Sequence, residues 1–185
     1  MNPFSLAWLI WLLIWLAVSA WSKRSSRREG LGSWFLHMLP LMLAAFLLAA
    51  EHLPNRILEG RMLPYLAAYY WIGLALTIGG LAFAVWARLY IGSNWSASVQ
   101  VKADHQLVRT GPYRFVRHPI YTGMLAAFLG SGLAIDEWRG LVAFVVVLAG
   151  FWYKLKLEER WMIQTFGEAY IEYRKHTSAL VPGIL

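Results

Sequence analysis

Phe4–Trp21 reads FSLAWLIWLLIWLAVSAW, a run without a single charge. A helix rises about 1.5 Å per residue, so crossing a hydrocarbon core of about 30 Å takes roughly 20 residues. The run approaches that length. Four further blocks share its character. Trp34–Ala50 has only His37 as a potential charge, and Leu63–Ala87, Ile120–Ile135 and Leu141–Tyr153 have none. The last two are short and read as a hairpin turning at Asp136-Glu137-Trp138-Arg139-Gly140. The pattern predicts an all-α integral membrane protein with five transmembrane helices. A soluble chain of 185 residues could hardly cover five uncharged helices.

Composition agrees. The chain is 59% hydrophobic and 15% charged, against roughly 45–50% and about 25% for soluble domains. That balance excludes intrinsic disorder. The absence of cysteine excludes a disulfide scaffold, thiolate metal sites and a cysteine nucleophile. Phe4–Trp21 is a span rather than a cleaved leader, because no positive segment precedes it and Lys23, Arg24, Arg27 and Arg28 follow it. Its Trp8, Trp11, Trp15 and Trp21 suit the membrane interface or the surfaces of neighbouring helices.

Charge gives an independent check. Threading five spans places Lys23, Arg24, Arg27, Arg28, Arg88, Lys102, Arg109, Arg114, Arg117, Lys154, Lys156, Arg160, Arg174 and Lys175 on one side. Arg56, Arg61 and Arg139 fall on the other, a division of 14 against 3 that accounts for all 17 basic residues. Cytoplasmic loops carry the excess of Lys and Arg. The expected topology is therefore N-terminus outside and C-terminus inside. The net charge of +7 reads as topology rather than nucleic-acid binding, because the basic residues hug span ends instead of lining one face.

Two inside segments are richer than plain connectors. Arg88–Pro119 is long, with an extended stretch expected at Ser98–Lys102 and a turn at Gly111-Pro112. Pro119 suits the first turn of the fourth span, which places Arg117 and His118 where free backbone N–H groups favour an anion. After the fifth span, Lys154, Glu158 and Trp161 share one helix face. Glu158 and Glu159 lie close to the apolar block, where carboxylates are costly without a partner or a task. Tyr170, Tyr173 and Arg174 belong to an amphipathic stretch expected along the bilayer surface, ending at Val181-Pro182. Read singly, Arg117 and Lys154 are snorkelling cations and Tyr113 and Tyr121 interface aromatics. Their joint placement beside the last two spans makes them a candidate site. The chain thus divides into three spans in 1–87 and a chemical region in 88–185, whose cytoplasmic pocket is built from the 88–119 connector and the C-terminal helical segment.

The run Gly111-Pro-Tyr-Arg-Phe-Val-Arg-His-Pro-Ile-Tyr-Thr-Gly123, followed some forty residues on by Glu158-Glu159, then by Phe166-Gly167 and Tyr170…Tyr173, resembles the signature of the isoprenylcysteine carboxyl methyltransferase family. The likeness covers about residues 86–183, and residues 1–85 match only as apolar spans. It implies a membrane methyltransferase using S-adenosylmethionine without a soluble Rossmann domain. In keeping with that, the chain has no G-x-G-x-x-G after a strand. Carried over by position, the cofactor residues are Gln100, His105, Gln106, Leu107, Val108, Tyr113, His118, Pro119, Ile120, Tyr121 and Glu159. The catalytic residues are Glu158, Lys154 and Arg117. The family has an Arg one turn before its Glu. Here Lys154 stands in that place, offering a point charge where Arg offers a two-pronged fork.

The resemblance leaves the acceptor open. A carboxylate needs only a cationic clamp, from Lys154 or Arg117, whereas an amine needs a base, and Glu158 is the candidate. Tyr113 or Tyr121 could add cation–π attraction for the sulfonium. His118 could meet the cofactor's carboxylate or its adenosine. A lipophilic acceptor arrives sideways from the bilayer and the cofactor from the cytoplasm. No histidine spacing marks a metal site. Two rivals remain: an NADPH-dependent sterol-type reductase and a non-catalytic scaffold of the same fold. Small size and absence of cysteine point to a prokaryotic inner membrane.

Overall fold

The computed structural model describes residues 2–19, 25–28, 30–50, 53, 56–92, 100–102 and 107–184. Among them are helices α1 (Pro3–Ser19), α2 (Leu31–Ala49), α3 (Ala68–Ile91), α4 (Pro119–Ile135), α5 (Trp138–Phe166) and α6 (Glu168–His176). A short 3-10 turn occupies Gly111–Arg114, and strands β1 (Ser25–Arg28) and β2 (Gln100–Lys102) pair antiparallel. The expected helical class holds with this ribbon added. The extended segment was foreseen at 98–102, but its partner β1, drawn from a basic run, was not.

Each apolar block became a helix, with shifted ends. At α1, the Asn2 side chain accepts the Ser5 amide at 2.7 Å and Pro3 takes the first turn, where its missing N–H is harmless. The third helix begins at Ala68 and not at Leu63. Pro64 disfavours a helical residue before it, and the preceding chain is tied to the α4–α5 turn. There Asp136 accepts Arg61 Nε at 2.9 Å, Arg61 Nη2 at 2.7 Å and the Leu63 amide at 3.0 Å. On the same turn Arg139 pairs with Glu137 at 2.5 Å and donates to the Leu47 carbonyl of α2 at 3.3 Å.

Helices α2, α3 and α5 are long and apolar enough to cross a membrane, while α1 and α4 are shorter apolar helices. The fifth element, expected to be short, is the longest at 29 residues. It spans about 43 Å, more than a hydrocarbon core of about 30 Å. The helix therefore outruns the apolar block and carries Lys154, Glu158 and Glu159 on a rigid extension.

Small residues bring the helices together. A Cβ on Gly73 would lie 2.5 Å from the Gly130 carbonyl, and one on Gly130 equally close to the Gly73 carbonyl. Gly80 and Gly123 meet in the same reciprocal way. Between membrane helices such close approach replaces the hydrophobic drive. Gly150 of α5 likewise admits Pro40 of α2, with 2.9 Å between a hypothetical Cβ and the proline Cβ. Trp8 anchors α1 by donating to Ser131 Oγ at 3.0 Å and packing edge-on against Phe128. Ser131 in turn lies 3.2 Å from Thr77 Oγ1. Of the tryptophans in the first run, Trp8, Trp11 and Trp15 pack against the core, while Trp21 lies outside the described residues.

Candidate active site

The start of α4 is built by the far end of the chain. Val116 pairs with Ser178 in a parallel bridge. The Arg117 amide donates to the Ser178 carbonyl at 2.8 Å and the His118 amide to the Ala179 carbonyl at 3.0 Å. Thr122 Oγ1 donates to the Leu180 carbonyl at 2.7 Å. With these partners fixed, Pro119 begins α4 and His118 sits at its cap position.

From that end two side chains reach across to α5. The Tyr121 hydroxyl donates to Glu158 Oε1 at 2.6 Å. His118 places Nδ1 3.4 Å from Glu158 Oε2 and Nε2 3.6 Å from Glu159 Oε1. Its ring stacks on Tyr121 at 5.5 Å with planes 3° apart, and Tyr121 stacks on Phe151 at 4.8 Å. Lys154 is buried, with Nζ 5.7 Å from the centre of the Tyr121 ring. Helical spacing on α5 accounts for the grouping, since Phe151, Lys154 and Glu158 recur at intervals of three and four.

The two carboxylates differ. Glu158 keeps 24% of its side-chain surface accessible and Glu159 only 5%. Glu159 Oε1 receives Arg117 Nε at 2.7 Å and lies 2.6 Å from Nη2, and Oε2 lies 3.6 Å from Arg174 Nε. Glu159 is thus held between cations while Glu158 faces the open side. Burial alone would push the His118 ring down. The nearby Glu158 and Glu159 outweigh it and hold the ring above the ordinary histidine range. Its Nε2 is buried and makes no hydrogen bond among the described residues.

The structure brings His118, Tyr121, Lys154, Glu158, Glu159 and Arg117 into one cluster. Pro119 and Ile120 are buried beside it in the first turn of α4. The Tyr113 hydroxyl points to the Ala87 carbonyl at 3.5 Å, and its own carbonyl receives the Tyr173 hydroxyl. Gly111 keeps the turn before it closed: its φ is +60°, and a Cβ would lie 2.5 Å from the Tyr90 ring. Leu107 and Val108 are half-buried, with Val108 against the core. His105 and Gln106 lie outside the described residues. Gln100 is described only as backbone of β2, opposite Arg28.

Sequence reasoning missed Phe151, Tyr173, Arg174 and the 177–180 segment. Phe151 was within reach of the periodicity argument. The strap was not, because nothing local in Thr177–Leu180 announces a partner sixty residues upstream. Tyr170 and Tyr173 were expected along a bilayer surface, yet both are buried. Burial raises the Tyr173 hydroxyl to about 12, against the opposing pull of Arg117 and Arg109. Among the described residues no three His, Asp or Glu side chains are grouped to hold a metal ion.

Comparison with known proteins adds to this geometry. A family model described as phospholipid methyltransferase matches residues 68–169. Protein-S-isoprenylcysteine O-methyltransferase of Saccharomyces cerevisiae is 34% identical over 116 residues, covering 61% of this chain and 48% of its own. Protein-S-isoprenylcysteine O-methyltransferase A of Arabidopsis thaliana is 31% identical over 146 residues, covering 76% and 72%. A solved structure of the eukaryotic intramembrane Ras methyltransferase, isoprenylcysteine carboxyl methyltransferase, matches with a TM-score of 0.53 at 24% identity, covering 83% of this chain and 50% of that one. That likeness shows the fold. The chain spans about half the length of the yeast protein and of the solved structure. Together with the long apolar helices, these matches make it a membrane protein. The relatives named are eukaryotic, which argues against the prokaryotic inner membrane expected from composition.

Proposed function

Because the chain belongs to the isoprenylcysteine O-methyltransferase group of the phospholipid methyltransferase family, we propose that it transfers a methyl group from S-adenosylmethionine to a lipophilic acceptor of the isoprenylcysteine carboxylate type. The observation that carries this reading is the partly accessible carboxylate of Glu158, bonded to Tyr121 and 3.4 Å from His118 Nδ1, where α5 leaves its apolar block. The residues fit the cofactor. It joins a cationic sulfur to an amino-acid end and an adenosine. Glu158 offers the counter-charge, Tyr121 an aromatic face and His118 Nε2 a buried polar atom that makes no hydrogen bond among the described residues. When bound, the cofactor supplies the methyl group.

The chain's own residues hold and orient. Lys154, buried one turn below Glu158, is the cation placed to hold an acceptor carboxylate. A carboxylate acceptor requires no proton transfer, so Glu158 remains anionic and keeps its bond from Tyr121. The stack of His118, Tyr121 and Phe151 excludes water from one wall of the site, where fixed charges act most strongly. Most of the acceleration comes from alignment of the reacting groups. In this reading residues 88–185 carry the chemistry, the site faces the cytoplasm, where the 14 basic residues gather, and five spans cross the membrane with the N-terminus outside.

Calorimetric titration of detergent-solubilised protein tests it, with S-adenosylmethionine and NADPH in parallel. Binding of the methyl donor, lost in His118→Ala, is the expected result. Binding of NADPH alone would overturn the reading in favour of a reductase.

A further inference from the structure

The cation nearest the site in sequence, Arg117, points its guanidinium into the protein. Its Nε donates to Glu159 Oε1 at 2.7 Å and Nη2 lies 2.6 Å from the same oxygen. Nη1 donates to the Thr177 carbonyl and, at 3.4 Å, to the Arg174 carbonyl. The side chain keeps 10% of its surface. A guanidinium presents its donors in a fixed planar fork, and here all three nitrogens are engaged with the protein.

Those partners belong to two separate pieces of chain. Glu159 is on the α5 extension. Arg174 and Thr177 flank the end of α6, from which the strap 177–180 runs beside 116–118. The strap is stitched down by the Arg117 and His118 amides, by Thr122 Oγ1 and, from α6, by the Tyr173 hydroxyl on the Tyr113 carbonyl. Arg117 is the one side chain in this set that reaches both the strap and α5. The oxygen it holds, Glu159 Oε1, is also the one facing His118 Nε2.

We infer that Arg117 is a positioning residue, which locks the C-terminal strap to α5 through Glu159 and thereby fixes the His118 ring in the site. Its removal takes away the tightest partner of a buried carboxylate and leaves Glu159 with Arg174 Nε and His118 Nε2, each at 3.6 Å, and a buried charge that loses its main partner forces local rearrangement. The strap then loosens and the ring loses its seat. Acceptor contact falls to Lys154 alone. The activity part of this inference rests on the methyltransferase reading, while the strap part does not.

The experiment uses the full chain in detergent and the variants Arg117→Gln, Arg117→Lys and Glu159→Gln. Hydrogen exchange is followed at the amides of residues 117 and 118. S-adenosylmethionine affinity is read by calorimetry, and kcat and KM with an N-acylated S-prenylcysteine as acceptor probe. Arg117→Gln is expected to speed exchange at both amides, weaken cofactor binding and lower kcat by about a hundredfold, the scale of a small misplacement of reacting groups. Acceptor KM stays within about twofold, as for a residue that does not bind the acceptor. Arg117→Lys, which retains one charge for Glu159, falls between, and Glu159→Gln repeats the pattern from the other side should Arg117→Gln not fold. A raised acceptor KM with unchanged exchange would overturn the inference by making Arg117 an acceptor clamp. Weakened cofactor binding with unchanged exchange would overturn it by making Arg117 a cofactor contact. If wild-type protein binds no S-adenosylmethionine, the methyltransferase reading fails, and the exchange measurement still decides whether Arg117 holds the strap.

Discussion

Along its middle, α4 meets α3 glycine against glycine, backbone against backbone, with no charge at the seam. At its start it meets α5 through His118, Tyr121, Glu158, Glu159 and Arg117, a contact made almost wholly of charge and aromatic faces. One joint lies within a helix of 17 residues and the other at its first turn and the two residues before it. Within an apolar medium, lipid tails compete equally for any hydrocarbon surface, so shape and close approach must do the joining. Beyond it, charges can be carried if each finds partners, and a carboxylate left open among them marks a task. The contrast separates a joint made by shape from one made by charge.

Breaking the seam has the largest expected effect. Gly123→Leu drives a side chain into the Gly80 backbone, which has no flexible end to yield. The folded form is lost, and size-exclusion of detergent extracts should show aggregate instead of a single species. Breaking the charged joint at its open member is expected to spare the fold. Glu158→Ala should leave the elution profile intact and reduce methyl transfer by about a hundredfold or more; unchanged turnover would remove Glu158 from the chemistry.

Smaller changes sharpen the comparison. Ser131→Ala removes a buried hydroxyl that Trp8 and Thr77 share. Bonds of this kind between membrane helices contribute about 0.6 kcal/mol on average, so a slightly lower Tm with full turnover is expected. The least effect comes from pH. The His118 value is raised in the folded protein, so its protonated form contributes stability that is fully present below the unfolded value of about 6.5. That contribution is lost as pH rises through the higher folded value. Wild-type Tm should decline across that window relative to His118→Gln, and parallel curves for the two proteins would contradict it.

How much could be read beforehand follows the same division. The apolar blocks were legible because a run without charge needs no partner to be recognised. Pro119 and the Phe151, Lys154 and Glu158 face follow rules of local spacing. The late start of α3 depended on Pro64, visible in the sequence, and on Asp136 holding Leu63, which was not. The ribbon joins residues some seventy-five positions apart, and the strap joins Ser178 to Val116. Such pairings leave no periodic trace in either segment. Tyr170 and Tyr173 look amphipathic on their own, yet both are buried, and the Tyr173 hydroxyl meets the Tyr113 carbonyl sixty residues upstream.

Helix α5 runs without interruption from Trp138 to Phe166. Its apolar length and its carboxylates therefore move as one rod. A bilayer thicker than the apolar stretch draws Lys154 toward hydrocarbon, and a thinner one lifts Glu158 toward water, unless the rod tilts to compensate. The height of Lys154 and Glu158 above the lipid is set jointly by the chain and by the thickness of the membrane that receives it.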